Sequence, residues 1–239
     1  MIRSFWVWSA GVFLTLVCGA FVILFSFLDP TRRIIYFFAK LWARGILLAA
    51  GVKVQVQGLE NLTSDSSQIL ASNHQGFFDI FALFACIPIR FGWITKKELF
   101  RIPIFGYAMK RFGNIRIDRS NKENAREGMQ LAARKIREGQ SIIIFPEGTR
   151  SLDGRLLPFK KGCFYLAEAS GKPVVPISIS GSFNIMPKRS FRVNPGTIHL
   201  VIGKPMRVQG AHENNRNAFT EQLRQTILEN QVPTSGVRH

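Results

Sequence analysis

The stretch Ile69-Leu70-Ala71-Ser72-Asn73-His74-Gln75-Gly76-Phe77-Phe78-Asp79-Ile80-Phe81-Ala82-Leu83-Phe84 decides how this chain is read. Its first four residues form a short strand-like run, and Ile80 to Phe84 form an apolar run suited to a helix. A polar turn between them carries a histidine and then an aspartate. On one ideal helix the interval from His74 to Asp79 is about 500° of rotation, so the two side chains would not share a face. A strand-to-helix turn removes that obstacle and can fold the carboxylate back onto the imidazole. A carboxylate on one ring nitrogen would fix the tautomer and leave the other nitrogen as a base. Residues 73–79 contain no Ser or Cys to serve as a nucleophile, so such a base would act directly on a substrate hydroxyl. Taken alone, a His-x4-Asp spacing is a weak pattern and reads better as a polar turn with no chemistry.

Outward from this stretch the same alternation continues. Strands are expected at 52–57, 68–72, 91–95, 114–117, 141–145, 174–180 and 198–202. Helices are expected at 79–86, from Lys96 onward, from Ser120 to Gly139, at 163–170 and at 215–230. Ser120-Asn121-Lys122-Glu123 reads as a capping box opening the third of these helices. Ser141-Ile142-Ile143-Ile144-Phe145 is continuously apolar, as in a strand covered on both faces. Val52-Lys53-Val54-Gln55-Val56-Gln57 alternates, as in an edge or half-buried strand. Strands alternating with helices imply an α/β fold, a largely parallel sheet flanked by helices. His74 and Glu147 both follow the carboxyl ends of strands, where open α/β sheets place their ligands.

Glu147-Gly148-Thr149-Arg150-Ser151 supplies the chemistry of an anion site. Gly148 lets the backbone approach a ligand closely. Arg150 offers a planar fork to phosphate oxygens, and two hydroxyls flank it. A carboxylate would repel phosphate, so Glu147 suits a different role, that of holding Arg150, a neighbouring backbone amide or a glycerol hydroxyl. A surface turn with a solvated arginine has the same composition.

Three further stretches carry a resemblance: Gly113-Asn114-Ile115-Arg116-Ile117-Asp118-Arg119, Phe145-Pro146-Glu147-Gly148-Thr149-Arg150-Ser151 and Val175-Pro176-Ile177. With the His-x4-Asp they follow the order and rough spacing of the four blocks of the glycerolipid acyltransferases. The chain resembles the 1-acylglycerol-3-phosphate acyltransferase branch from about Gly51 to about Gly203. Arg116 departs from that pattern, which usually has an aromatic or aliphatic residue there. The resemblance implies His74 as general base with Asp79 steadying it. It also implies an acceptor site built from Lys96, Arg119, Glu147, Gly148, Thr149 and Arg150. It implies direct acyl transfer from acyl-CoA or an acyl carrier protein to a lysophospholipid, lysophosphatidate first among them, with no metal and no cofactor.

The chain has 32 Lys and Arg against 15 Asp and Glu, a formal charge of +17, which seeks anions. A nonenzymatic anchor for anionic lipid or nucleic acid, and a membrane-tethered hydrolase, are the competing readings. The blocks would be accidents under the first; the second would share the His-Asp pair and is separated by turnover without an acyl acceptor. Nucleic acid is not an expected partner. Cys18, Cys86 and Cys163 stand far apart and read as reduced core residues. His199, His212 and His239 have no acidic partner at a telling spacing. Residues 5–28 carry no charge and are long enough to span a bilayer. Residues 31–50 place Arg33, Lys40 and Arg44 on one stripe, with Ile35, Phe38, Trp42 and Ile46 opposite. That is the pattern of a helix lying in a membrane interface. Residues 1–50 are therefore expected to be a membrane-embedded segment, as one span or as a hairpin in one leaflet. Residues 51–239 are expected to form the catalytic domain, on the cytoplasmic side by the heavier positive flank.

Overall fold

A computed structural model describes residues 2–26, 28–29, 32–118, 120–208 and 213–233. Arg119, His212 and His239 lie outside the described residues. Helices α1 (Ile2–Phe25) and α2 (Arg33–Ala49) come first. Seven strands follow: β1 (Val52–Gln57), β2 (Ile69–Ser72), β3 (Phe91–Lys96), β4 (Ile115–Ile117), β5 (Ser141–Ile144), β6 (Val174–Ser180) and β7 (Gly196–Ile202). They form one sheet in the order β1-β7-β6-β2-β5-β3-β4. Strands β6, β2, β5, β3 and β4 run parallel, β7 is antiparallel to β6, and β1 is parallel to β7. The fold is thus the expected α/β arrangement, with one reversal near one edge.

The side-chain period of two divides the core. Leu70, Ile143, Val175 and Ile177 face one side, against α2, α3 (Asp79–Cys86) and α4 (Phe105–Arg111). Ile69, Ala71, Ile142, Ile144 and Val174 face the other side. There they meet α5 (Lys122–Arg137), α6 (Gly162–Ser170) and α8 (Glu213–Glu229). Strand β5 is buried at every position because strands flank it and helices cover both faces. Strand β1, at the edge, alternates between buried and open positions as its Val/Lys/Gln pattern requires.

Four expectations are corrected. The apolar face of α2 does not lie open: Ile35 and Ile46 are buried in the domain core, and Phe38 and Trp42 pack against it. A second apolar row on α2, Ile34, Phe37, Leu41 and Leu48, is the exposed one. Periodicity located a stripe, but α2 is apolar on two sides, and the sheet claimed the first. The cap of α5 is Asn121, whose Oδ1 accepts from the Glu123 N–H at 2.7 Å; Ser120 is turned back onto Asp118. The helix expected at Lys96 is only a 3-10 turn, Lys97–Arg101. Helix α4, which was not among the expected helices, follows it, and a single turn, α7 (Ser182–Ile185), follows β6.

Helices α1 and α2 pack on each other, joined by residues 26–32. Trp42 donates its indole N–H to the Thr15 hydroxyl across the pair at 2.9 Å. Helix α1 is long and apolar enough to cross a membrane. Phe5, Trp6, Val12, Phe13, Leu16 and Leu24 are exposed along it. Their spacing makes a continuous stripe that no part of the described chain covers.

Candidate active site

The parallel strands β2, β5, β3 and β4 end on one rim, and the expected chemistry gathers there. Strand β2 leads directly into His74, and Asp79 is the first residue of α3. Asp79 is fully buried, and its Oδ2 collects three donors: His74 Nδ1 at 2.7 Å, Gln75 N–H at 2.8 Å and Gly76 N–H at 2.9 Å. One oxygen thus closes the turn and orients the ring, which is how a spacing unsuited to a helix brings the two groups together. Gly76 permits the turn. A Cβ there would lie 2.5 Å from the Ser182 carbonyl oxygen, a backbone atom of α7.

The loop after β5 holds the histidine's own backbone. Glu147 Oε1 accepts from the His74 N–H at 2.7 Å, and the His74 carbonyl accepts from the Ser151 N–H at 2.9 Å. The other Glu147 oxygen accepts from the Leu157 N–H at 3.0 Å. This carboxyl is buried, and burial pushes it up to about 7 against the pull of its two amide donors. Phe145 supplies the remaining wall, stacked on the imidazole with ring centres 4.0 Å apart and 10° between planes. With Nδ1 on Asp79, Nε2 is the nitrogen left for a substrate.

His74 lines a cavity of about 940 Å³. One arm runs under the helical pair and is walled by Cys18, Val22, Phe38, Trp42, Ile104 and Phe112. The rim carries cations: Lys96, Arg150, Lys160 and Lys188 all border the cavity, and none is ion-paired among the described residues. The Arg150 guanidinium lies 5.8 Å from the centre of the Phe77 ring. Lys188 Nζ donates to Thr149 Oγ1 at 2.9 Å and to the Arg150 carbonyl at 3.4 Å. Gly148 has φ 73, and a Cβ there would stand 2.9 Å from Lys160 Nζ. Among the described residues no three His, Cys, Asp or Glu side chains are grouped to hold a metal ion. Cys163 is buried and its thiol is pushed up to about 12 by that burial, so it offers no thiolate.

The Acyltransferase family model matches residues 53–180, more than half of the chain and most of the geometry described above. The chain belongs to the acyltransferase family. It is 40% identical over 188 residues to the chloroplastic 1-acyl-sn-glycerol-3-phosphate acyltransferase BAT2 of Brassica napus, covering 78% of this chain and 54% of that protein. It is 37% identical to the Arabidopsis thaliana LPAT1 protein of the same printed name, over 91% of this chain and 59% of the other. The chain therefore spans little more than half the length of these curated relatives. A crystal structure of the 1-acyl-sn-glycerophosphate acyltransferase PlsC from Thermotoga maritima superposes with a TM-score of 0.84 at 25% identity. That match covers 98% of this chain and 97% of the other.

Within this acyltransferase fold, the rim brings together His74, Asp79, Lys96, Gly148, Thr149 and Arg150. Glu147 is adjacent, but both of its oxygens are engaged by backbone amides, the second of the roles its sequence allowed. Asp118 pairs with a lysine. It holds Lys97 at 2.5 Å and is kept far below the usual carboxylate range by that lysine first, then by Ser120. Arg116 points outward from β4 between two buried isoleucines. Lys160 and Lys188 were missed by sequence reasoning. Lys188 comes from the loop after α7, which no block of the family pattern includes; it reaches the rim because β6 runs parallel to β2 and α7 follows the carboxyl end of β6.

Proposed function

We propose that this protein transfers a fatty acyl group from acyl-CoA or an acyl carrier protein to the sn-2 hydroxyl of lysophosphatidate, giving phosphatidate. One observation carries the reading. A carboxylate-oriented histidine stands where an apolar arm and a cluster of cations, without ion-pair partners among the described residues, meet in a single cavity. The acceptor's phosphate is held by Arg150 and Lys96, with Lys160 and Lys188 adding to the positive rim. Its free hydroxyl is presented to His74 Nε2. The imidazole takes the hydroxyl proton as the oxygen attacks the thioester carbonyl, and the thiol departs with a proton returned by the imidazolium. Asp79 balances the charge on the ring during the attack. The inert Cys163 and the lack of a hydroxyl on the Asp79–His74 pair support direct transfer over an acyl-enzyme. The names printed for the relatives support the same acceptor.

The uncovered stripe of α1 and the exposed row of α2 support membrane attachment; the heavier positive flank after α1 supports a catalytic domain on the cytoplasmic face. The acyl chain then passes from the bilayer into the arm bordered by α1 and α2. The test is turnover of labelled acyl-CoA by the purified protein with a panel of lysolipids differing in head group. Phosphatidate is expected as the main product. Equal consumption of acyl-CoA with and without acceptor would instead make the protein a thioester hydrolase.

A further inference from the structure

Residues 186–195 join α7 to β7. Because β7 turns back against β6, both ends of this loop lie on the rim that carries His74. The loop is fastened along the first two turns of α1. Ser4 Oγ accepts from the Val193 N–H at 3.0 Å, and the Trp8 indole donates to the Phe191 carbonyl at 2.9 Å. The Phe191 and Trp8 rings are centred 6.0 Å apart. Phe191 is nonetheless 77% exposed, as is Phe5 on the same stretch of α1. Arg189 and Arg192 flank Phe191, are not buried, and have no ion-pair partner among the described residues.

Arg189 sits in a tight turn closed by Ser190 N–H on the Pro187 carbonyl at 3.3 Å, with φ 68. Glycine or asparagine adopts that conformation at ease, and an arginine is strained in it. The turn itself therefore does not call for an arginine; its accessible charge does. An exposed ring set between cations, continuous with an apolar helix stripe, has the composition of a membrane-interface contact. An acidic soluble protein would match the arginines but leave the stripe beside them in water. A bilayer with anionic headgroups covers both.

We propose that residues 187–193 form a membrane contact additional to the helical pair, reading anionic headgroups with Arg189 and Arg192 and seating Phe191 at the headgroup level. This rests on the membrane attachment of α1 proposed above. The inward side of the same loop is Lys188, bonded to Thr149 and the Arg150 carbonyl. The segment that touches lipid therefore also steadies the loop that receives the acceptor's phosphate.

The test uses the full chain with a nitrobenzoxadiazole probe attached through Phe191→Cys in a Cys86→Ser background, since Cys18 and Cys163 are buried. Protein is mixed with limiting phosphatidylcholine vesicles, with or without phosphatidylglycerol. Flotation reports binding, and probe emission with nitroxide-lipid quenching reports depth. On vesicles the emission is expected to move to the blue and to be quenched. Arg189→Gly, which relieves the strained backbone, and Arg192→Ala should each weaken binding roughly five-fold on anionic vesicles at low salt, and not on neutral ones. A probe that stays water-exposed on floated protein would overturn the proposal. So would charge variants that bind both vesicle types like the parent. If the unlabelled parent does not float at all, the attachment of α1 is wrong and this contact falls with it.

Discussion

Asp79→Asn tests the reasoning about the base most sharply. In a catalytic His–Asp pair, asparagine can turn its amide N–H₂ toward the histidine and force the wrong tautomer, at a cost of about 10⁴-fold in rate. The geometry here argues for a milder outcome. The oxygen that faces His74 also accepts the Gln75 and Gly76 amides, at 2.8 and 2.9 Å. An asparagine must keep its oxygen at that point, because an N–H₂ there would face two donors. The tautomer is therefore retained and only the charge is lost. A unit charge pair at about 4 Å in an effective dielectric near 20 is worth roughly 4 kcal/mol, and the amide dipole recovers part of it. The expected fall in kcat is about 10² to 10³. The displaced N–H₂ would occupy the site of Asp79 Oδ1, which already has no partner among the described residues, so little change in stability is expected from that exchange. Steady-state turnover with vesicle-embedded lysophosphatidate measures the first effect and thermal unfolding in detergent the second. The nitrogen-15 shifts of the His74 ring report which nitrogen is protonated. A variant as dead as His74→Ala, or one whose ring has changed tautomer, would refute this reasoning.

Glu147→Gln should remove a pH dependence of stability. An acid held at about 7 in the folded state and near 4.5 when unfolded favours folding fully at low pH. That contribution, about 3 kcal/mol, is lost as pH rises through the interval between the two values. Thermal unfolding of the parent should therefore drop across that interval, and the glutamine variant should lack that slope. Gly76→Ala would drive a Cβ against the α7 backbone, so turnover and melting temperature should both fall; unchanged values would show that the turn can move. Arg150→Ala should raise KM for the acceptor more than it lowers kcat, with Arg150→Lys intermediate, because a phosphate held equally in ground and transition states contributes uniform binding. A change confined to the donor KM would move Arg150 to the donor site.

Much of the fold was legible because burial on two faces leaves a plain mark. The isoleucine run of β5 and the alternating β1 were read correctly for opposite reasons, one sealed and one at an edge. The pairing of His74 with Asp79 was legible from the change of period between them. What escaped depended on partners distant in sequence. Whether Ile35 and Ile46 face lipid or protein is set by the sheet, not by α2. Asp118 meets Lys97, 21 residues away in sequence, because β3 and β4 are neighbours. The role of Glu147 was only bounded by sequence, since its amide partners come from residues 74 and 157. Helix α4 was hidden because Pro103 precedes its first turn, where a proline does no harm.

The arm of the cavity is walled on one side by α1 and on another by α2, and only Ala50 and Gly51 separate α2 from β1. So short a connection ties the helical pair closely to the sheet. On the membrane attachment and acceptor proposed above, the acceptor would reach the rim by lateral diffusion within a leaflet, a two-dimensional search. Its effective concentration would then be the mole fraction of lysolipid in the surface, not the amount in the tube. Adding inert phospholipid at constant total substrate should slow the reaction as the surface is diluted, and the composition of the membrane itself becomes a regulator of flux.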